Sequence, residues 1–338
     1  MEIGIYIHIP FCIRKCHYCS FNSVENQQGL IEPYISALLK EIAKRSSDIK
    51  QYTTKNIYIG GGTPTILKSL HLNMILDNCR RYFNLQDNIE ITLEANPKTV
   101  DKDKLLELKS AGFNRISIGI QSFNDDELKL LGRQHNSDDA ISAFKAARCA
   151  NFNNIGIDLI YGIPYQKMED WEDTLGKAIK LDPEHISIYS LSIEKGALFD
   201  KYVAEDKIFL LSDDEAADMY NTAYTRLKEA GYIPYEISNF SKLGYFSRHN
   251  HIYWNNGEYI GIGAGAYSYI NKNRSWNISD ISKYIEMNGD AIEGQEHLKA
   301  GQILAETIMV RLRTIDGIDI GGLNSMFKID FLRQYKEK

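Results

Sequence analysis

The sequence predicts an α/β fold, a partial, TIM-like (β/α)6 barrel followed by a smaller and mainly helical C-terminal region. Three observations predict it. Short β-rich runs alternate six times with stretches of helical periodicity, which is typical of β/α units around a parallel sheet. Six units are too few to close an eight-stranded barrel. Polar or glycine-rich residues lie at the ends of five predicted strands, where such barrels carry their active sites.

The barrel elements follow one another along the first part of the chain. Each predicted strand is rich in β-branched or aromatic residues and is bounded by turn-forming residues. The strands are predicted at residues 3–9, 56–60, 89–95, 115–121, 154–161 and 185–191. Amphipathic helices are predicted between them at residues 30–49, 67–83, 101–111, 137–150 and 169–181.

The pattern changes from Lys195 onward. An amphipathic helix is predicted at 213–230, and it ends at Gly231 because glycine is favoured just after a helix. An extended segment at 233–240, a glycine-rich run at 259–270 expected to pack against the barrel mouth, and a helix at 302–313 follow. The chain therefore divides into the barrel at 1–200, an extension at 201–280 and a C-terminal helical region at 281–338 that is short or truncated.

Composition excludes several classes of protein. Apolar residues make up 43% and charged residues 25% of the 338 residues, as in ordinary soluble domains. The net charge of −6 gives no basic surface for nucleic acid. No apolar run is long enough to span a bilayer, and the N-terminus does not resemble a signal peptide. Five cysteines, three of them clustered, suit a reducing compartment, so a cytoplasmic protein is expected.

The first strand leads directly into a cysteine cluster with the spacing C-x3-C-x2-C, formed by Cys12, Cys16 and Cys19. Thiolates are soft ligands that select iron–sulfur clusters, zinc or copper(I). A structural zinc site needs four ligands. Cys79 and Cys149 stand alone in helical patterns, so His8 or His17 would have to supply the fourth. A four-iron cluster on three thiolates instead leaves one iron free for a ligand with an amine and a carboxylate.

The flanking residues give this cluster a family resemblance. The cysteines lie between YIHIPFC and YCSFN and are followed by GGGTPT. In this context C-x3-C-x2-C is similar to the signature of the radical S-adenosylmethionine (SAM) superfamily. The whole chain resembles the oxygen-independent coproporphyrinogen III oxidase-like family and, within it, the haem-chaperone branch called HemW. The resemblance implies a radical SAM partial barrel that binds a [4Fe-4S] cluster through the three cysteines, together with SAM.

The same resemblance implies where SAM is bound. Consecutive glycines after a buried strand let backbone groups approach a ligand closely, and the family uses this loop to hold the amino and carboxylate end of SAM. The family's other contact positions match residues in IGIQSF, LGRQH and IDLIYG and near the cysteines. The SAM residues expected on this basis are Tyr6, Tyr18, Gly61, Gly62, Thr63, Glu94, Gln121, Arg133 and Asp158.

Two features concern the branch of the family. The oxidase branch carries a further cysteine two positions after the third ligand, where this chain has Phe21. Residues 249–254 match the H-N-x-x-Y-W element linked with haem binding in the chaperone branch. Imidazole can ligate haem iron, and aromatic rings can cover the macrocycle. The haem residues expected are His249, Asn250, Tyr253 and Trp254, and His251 is an alternative iron ligand.

Three functions stay open. The leading one is a chaperone that binds haem and delivers it to acceptor proteins, which could include respiratory proteins. The second is coproporphyrinogen III oxidase, which decarboxylates two propionates of its substrate, although Phe21 argues against it. The third is a zinc-stabilised binding protein that retains the fold. Whether the protein is an enzyme is therefore open, and the resemblance allows a homodimer and at most peripheral membrane contact.

Overall fold

The computed structural model describes residues 1–335, so the end of the predicted region 281–338 lies outside the described residues. The strands are β1 (Glu2–Ile9), β2 (Phe11–Cys12), β3 (Val24–Glu25), β4 (Thr53–Gly61), β5 (Leu85–Ala95), β6 (Arg115–Gln121), β7 (Ile155–Tyr161), β8 (His185–Ser190), β9 (Ile233–Pro234), β10 (Asn239–Ser241), β11 (Tyr259–Ile262), β12 (Tyr267–Ile270), β13 (Asn273–Asn277) and β14 (Ile292–His297). The helices are α1 (Ile31–Arg45), α2 (Ser69–Tyr82), α3 (Lys102–Ala111), α4 (Asp125–Leu130), α5 (Ser137–Cys149), α6 (Met168–Leu181), α7 (Leu198–Ala204), α8 (Asp213–Glu229), α9 (Arg248–Trp254), α10 (Ile281–Met287), α11 (Ala300–Arg311), α12 (Ile320–Phe327) and α13 (Phe331–Tyr335).

The six predicted strands form the centre of one large sheet, in chain order and all parallel: β1, β4, β5, β6, β7 and β8. Helices α1, α2, α3, α5 and α6 lie in the connections between them, as predicted. Because every connection joins parallel neighbours, the carboxyl ends of all six strands meet at one edge. The predicted partial barrel is confirmed, with β10 closing one side antiparallel to β8.

The glycine-rich run at 259–270 extends the sheet and then reaches the carboxyl end of the barrel. It is an additional part of the sheet, because β11 pairs in parallel with β1 and β12 turns back beside β11. Ile260 and Ile262 are completely buried there. A Cβ on Gly261 would come within 2.1 Å of the Tyr267 carbonyl oxygen, so glycine permits the tight return. The turn after β11 packs against the end of the cysteine loop, where Asn22 Nδ2 donates to the Ala264 carbonyl at 3.1 Å.

Side chains alternate between two environments along each barrel strand. In β6, Ile116, Ile118 and Ile120 are fully buried in the layer beneath the helices. Ser117 and Gln121, between and after them, line the cavity inside the barrel. The same alternation, apolar outward and polar inward, recurs in β4 and β7. The barrel interior is therefore polar enough to receive a charged ligand.

One buried carboxylate connects the C-terminal extension to the barrel. Glu41 of α1 has no exposed surface. It accepts hydrogen bonds from the Gly263 N–H (2.9 Å), the Tyr284 hydroxyl (2.6 Å) and Asn277 Nδ2 (2.6 Å). Burial raises the pKa of Glu41, and these hydrogen bonds oppose that effect. Glu41 thus joins α1 to three segments that follow α9, beside Tyr34, whose hydroxyl accepts from the Ala264 N–H at 3.0 Å. Within residues 1–335, no helix has the length and apolar character needed to cross a membrane.

Candidate functional site

The two ends of the cysteine loop are paired with each other. Just after β1, the short strand β2 pairs with β3, so that Phe11 lies beside Val24 and Cys12 beside Glu25. The loop between them carries the remaining cysteines, and all three thiols are free and half-buried. The backbone N–H of Val24 donates to the Pro10 carbonyl at 2.8 Å, which closes the loop again. The C-x3-C-x2-C spacing is therefore presented by an anchored loop at the carboxyl end of β1.

The two histidines considered as zinc ligands have other roles. His8 has both ring nitrogens hydrogen-bonded, Nδ1 to the Tyr6 hydroxyl (3.0 Å) and Nε2 to the Asn22 carbonyl (2.7 Å). His17 Nδ1 bonds the Leu130 carbonyl at 2.8 Å and so anchors the cysteine loop to the end of α4. Within the described residues, no three His, Cys, Asp or Glu side chains are placed to bind a single metal ion. A four-iron cluster has no such requirement, because each cysteine binds a different iron.

Two polar side chains contact the thiols. Thr63 Oγ1 donates to Cys12 Sγ at 3.7 Å, and Arg133 Nη1 donates to Cys16 Sγ at 3.4 Å. Burial raises the pKa of the Cys12 thiol, while hydrogen bonds from Thr63 and Ser23 lower it. A buried guanidinium beside a thiolate favours its charged form, and a cluster requires that form. The donor set fits a negatively charged iron–sulfur centre.

A cavity of about 380 Å³ opens beside these thiols, inside the carboxyl end of the barrel. It is lined by the three cysteines and by most of the residues expected to contact SAM. Those present are Cys12, Cys16, Cys19, Tyr18, Gly61, Gly62, Thr63, Glu94, Gln121, Arg133 and Asp158. Tyr6 is absent from this lining; it lies one layer deeper and stacks on Tyr58 at a ring-centroid distance of 6.2 Å.

The glycine loop after β4 allows the backbone to approach the thiols. Gly61 has φ of 117°, which strongly favours glycine. A Cβ on Gly62 would lie 2.7 Å from the Phe11 carbonyl oxygen and 3.0 Å from Cys12 Sγ. A side chain would therefore clash with His8 at position 61 and with the cysteine loop at position 62. Glycine lets the backbone pass between the cysteine loop and the cavity.

Glu94 is the main carboxylate of the cavity. The Tyr58 hydroxyl donates to Glu94 Oε1 at 2.6 Å, and the Gly61 N–H donates to Oε2 at 3.0 Å. Burial raises the pKa of Glu94 to about 7, although the Tyr58 hydrogen bond lowers it. Burial also raises the pKa of Asp158, whose Oδ2 accepts from Ser117 at 3.2 Å. The charge of this cavity is therefore sensitive to pH near neutrality.

Backbone strain marks another cavity residue. Gln121, at the end of β6, has φ of 72°. A positive φ is uncommon for a residue other than glycine and is found more often at functional sites. Gln121 also lines the cavity.

Sequence reasoning missed several cavity residues. Tyr58 and Ser117 lie inside strands, and Tyr189 lies near the end of β8; all three line the cavity. A signal for them was present, because polar residues recur at every second position of β4 and β6 between isoleucines. Phe21 also lines the cavity and is 67% exposed at its mouth.

The residues expected to contact haem lie at the opposite end of the barrel from the cysteines. They belong to α9, which packs near the start of β4. His249 is only 2% exposed. Its Nδ1 bonds Asn56 Oδ1 at 2.7 Å, and its Nε2 bonds the Tyr253 hydroxyl at 2.9 Å. Burial lowers the pKa of His249 to about 3. Ligation of iron by His249 would require it to give up one of these hydrogen bonds.

Other residues of α9 are placed differently. Trp254 lies beneath the Arg313 guanidinium, 4.8 Å from the ring centroid, and Asn250 donates through its backbone to Ser247. His251 lines a groove of about 460 Å³ at the amino ends of β1 and β4. Its Nδ1 is buried and has no hydrogen-bond partner. The groove walls include Lys55, Phe246, Arg248, His251 and Ile252.

Comparison with known proteins adds the family. Residues 6–178 match the family described as the radical SAM superfamily. The chain is 36% identical over 317 residues to a protein named heme chaperone HemW from Bacillus subtilis, covering 93% of this chain and 84% of that protein. It is 40% identical over 271 residues to the protein of the same name from Escherichia coli, covering 79% and 70%. The structure resembles coproporphyrinogen III oxidase (HemN) from Escherichia coli, with a TM-score of 0.86, 23% identity and coverage of 99% and 81%. At that identity the likeness shows the fold alone.

Proposed function

The chain belongs to the HemW family of the radical SAM superfamily, and on this premise we propose that it is a haem chaperone, which binds a [4Fe-4S] cluster, SAM and haem and passes haem to acceptor proteins. The observation that carries the proposal is the presence of two separate sites. Three free thiols border a glycine-lined cavity at one end of the barrel. A groove at the other end is lined by His251, whose Nδ1 has no hydrogen-bond partner within residues 1–335.

The cluster and SAM are supported by the fit of the first cavity. Cys12, Cys16 and Cys19 would hold the cluster, and the iron without a protein ligand would face the cavity. The Gly61–Gly62 backbone lines the cavity close to Cys12, so its polar groups can approach a ligand bound beside the cluster. Glu94 would attract SAM, which carries positive charge on its sulfonium and amino groups. When bound, a reduced cluster and SAM supply radical chemistry, and the barrel walls exclude water from it.

Haem is supported by the chemistry of the second cavity. His251 lines this groove, and its Nδ1 has no hydrogen-bond partner within residues 1–335. Because that atom is buried, the ring would have to turn toward the groove to ligate iron. Phe246 and Ile252 provide apolar walls for the macrocycle. Lys55 and Arg248 line the same groove, where Lys55 is paired with Glu2 and Arg248 Nη1 donates to the Asn88 carbonyl. Each would have to exchange its present partner to pair with a haem propionate. We therefore propose His251 as the iron ligand in place of His249.

We predict that His251→Ala lowers haem affinity at least tenfold, because the iron loses its axial ligand. The protein would be purified anaerobically, reconstituted with iron and sulfide, and titrated with haem while the Soret band is followed. His297→Ala is the matched control, since His297 is exposed and bonds only Asn273 in β13. Unchanged haem affinity in His251→Ala, with loss in His249→Ala, would return the assignment to His249.

The oxidase alternative is opposed by one residue. Phe21 projects at the cavity mouth in the position where the oxidase branch carries its extra cysteine. An exposed aromatic ring cannot replace a thiol in redox or acid–base chemistry.

We predict that Phe21→Cys, assayed anaerobically with SAM, a reductant and coproporphyrinogen III, releases no carbon dioxide above the wild-type background. The reason is that a substrate pocket depends on many side chains around the mouth and not on one thiol. Cluster content must be equal in the variant and the wild type for the comparison to hold. Decarboxylation by the variant would mean that position 21 alone separates the two branches, and decarboxylation by the wild type would overturn the chaperone assignment.

A further inference from the structure

His249 lies in the single layer of side chains that separates the two cavities. Asn56 and Tyr58 are two residues apart on β4; Asn56 lines the groove at one end of the barrel, and Tyr58 lines the cavity at the other. His249 contacts both of them. We infer that His249 is a positioning residue for the Tyr58–Glu94 pair of the SAM cavity. This inference rests on the proposed function only in taking SAM as the ligand of that cavity.

The His249 ring is held in one orientation from two sides. Its Nδ1 bonds Asn56 Oδ1 at 2.7 Å, and its Nε2 bonds the Tyr253 hydroxyl at 2.9 Å. The space around it is tight, since a Cβ on Gly4 would lie 3.5 Å from His249 Nδ1 and 2.4 Å from Ile252. An imidazole with both nitrogens engaged in a packed site has little freedom to rotate.

The oriented imidazole sets the position of Tyr58. The two rings are stacked, with centroids 5.0 Å apart and planes inclined by 23°. Tyr6 stacks against both of them, at 6.1 Å from His249 and 6.2 Å from Tyr58. A tyrosine ring is rigid, so a displacement of the ring moves its hydroxyl by a similar distance. That hydroxyl makes the 2.6 Å hydrogen bond to Glu94 Oε1.

Glu94 responds to this hydrogen bond because of its surroundings. Burial is the main influence and raises its pKa, and the Tyr58 hydroxyl is the first of the groups that lower it. The other charged or titratable groups that face Glu94 come from four further strands of the barrel. They are Tyr6 from β1, Arg115 from β6, Asp158 from β7 and Tyr189 from β8. A weaker Tyr58 hydrogen bond therefore leaves Glu94 protonated to a higher pH.

The inference is tested by measuring the affinity for SAM from pH 6 to pH 8.5 on anaerobically reconstituted protein. In the wild type, affinity is expected to fall about tenfold from pH 8 to pH 6, because Glu94 becomes neutral as the pH falls through about 7. Tyr58→Phe is expected to move the midpoint up by about 1 pH unit. His249→Phe keeps a stacked ring but loses both hydrogen bonds, and it should move the midpoint in the same direction. The double variant should show no further shift, since both changes act through one hydrogen bond.

A control variant at another buried histidine distinguishes positioning of Tyr58 from a general loss of stability. His185 is also a buried histidine bonded to a tyrosine hydroxyl, at 2.7 Å from Tyr235, and it contacts neither Tyr58 nor Glu94 in the hydrogen bonds and ring pairs of the described residues. His185→Phe should lower the melting temperature without moving the midpoint for SAM. If His249→Phe does not fold, Tyr253→Phe removes only the hydrogen bond at Nε2 and should give a smaller shift of the same sign.

SAM binding and the positioning role of His249 are tested by different results. A wild type that binds no SAM at any pH would overturn the proposed function. A wild type that binds SAM, with His249→Phe and Tyr253→Phe both keeping the wild-type midpoint, would overturn the positioning role alone. Additive shifts in the double variant would also overturn it, because they would mean that His249 acts on Glu94 by a route other than Tyr58. Titration of SAM itself is common to all variants and cancels in these comparisons.

Discussion

Each of the substitutions Cys12→Ala, Cys16→Ala and Cys19→Ala is expected to abolish the iron–sulfur cluster while leaving the protein folded. A cubane cluster with three protein ligands has no spare thiolate, so two remaining cysteines do not retain it. The fold survives because the loop is closed independently by the β2–β3 pairing and by the His17 hydrogen bond to Leu130. We expect the unfolding free energy of the cluster-free protein to change by less than about 1 kcal/mol. Iron and acid-labile sulfide content, the visible absorption spectrum and urea unfolding measure these effects.

Cys149→Ala is the control for the cysteine series. Cys149 is exposed at the end of α5 and does not line the cavity within the described residues. Its removal should leave iron content unchanged. A normal cluster in any one of the three loop variants would exclude that cysteine as a ligand. A full cluster in none of the proteins, wild type included, after careful anaerobic reconstitution would favour the zinc alternative.

Glu41→Ala is expected to cost about 3–5 kcal/mol of the free energy of unfolding, the largest stability effect expected of any single substitution considered for this chain. The substitution leaves the Gly263 N–H, the Tyr284 hydroxyl and the Asn277 amide without their acceptor in a buried site. It also removes one of the two carboxylates near Arg45, which is 5% exposed and keeps Asp48 at 2.7 Å. Urea unfolding followed by circular dichroism measures the loss.

Glu32→Ala on the same helix is the matched comparison. Glu32 bonds His71 at 2.8 Å, but its side chain is 74% exposed. A hydrogen bond to such an exposed carboxylate contributes about 1 kcal/mol or less. If Glu41→Ala cost no more than Glu32→Ala, the attachment of the extension to α1 would have to come from its other contacts, such as Tyr34 with Ala264 and Arg45 with Ser268. Residues 281–287 of α10 and the β11–β12 turn are the first places where increased hydrogen exchange is expected in Glu41→Ala.

The candidate cluster and SAM residues were accessible from sequence because they lie in short local motifs. Cys12, Cys16 and Cys19 are fixed relative to each other by spacing, and the glycines after β4 follow a recognisable strand. Strand ends converge in any parallel barrel, so motifs far apart in the chain could be expected to meet. The structure brings Glu94, Gln121 and the other strand-end residues into one cavity. Tyr6 lies one layer deeper than the cavity lining, and its motif does not encode depth inside the barrel.

The arrangement of the residues expected to contact haem was much harder to predict from the sequence. The H-N-x-x-Y-W segment identifies α9 but not which of its faces is buried. His249 turned out to be enclosed by Asn56 and Tyr253, whereas His251 faces a groove. Helical periodicity places these two histidines on different faces, yet periodicity does not say which face meets β4. That choice depends on a partner nearly two hundred positions away in the chain.

The sequence by itself determined the class of fold and the six β/α units, because both depend on local periodicity. It also placed the three clustered cysteines after β1 by their spacing in one loop, and the family resemblance supplied the expected SAM residues. Only the tertiary structure decided that the run at 259–270 joins the sheet beside β1, that Glu41 bonds Asn277 across 236 positions, and that α9 closes the far end of the barrel. The physical reason is that side-chain burial and long-range pairing are set by which surfaces meet, and a one-dimensional pattern specifies a buried face without specifying its partner.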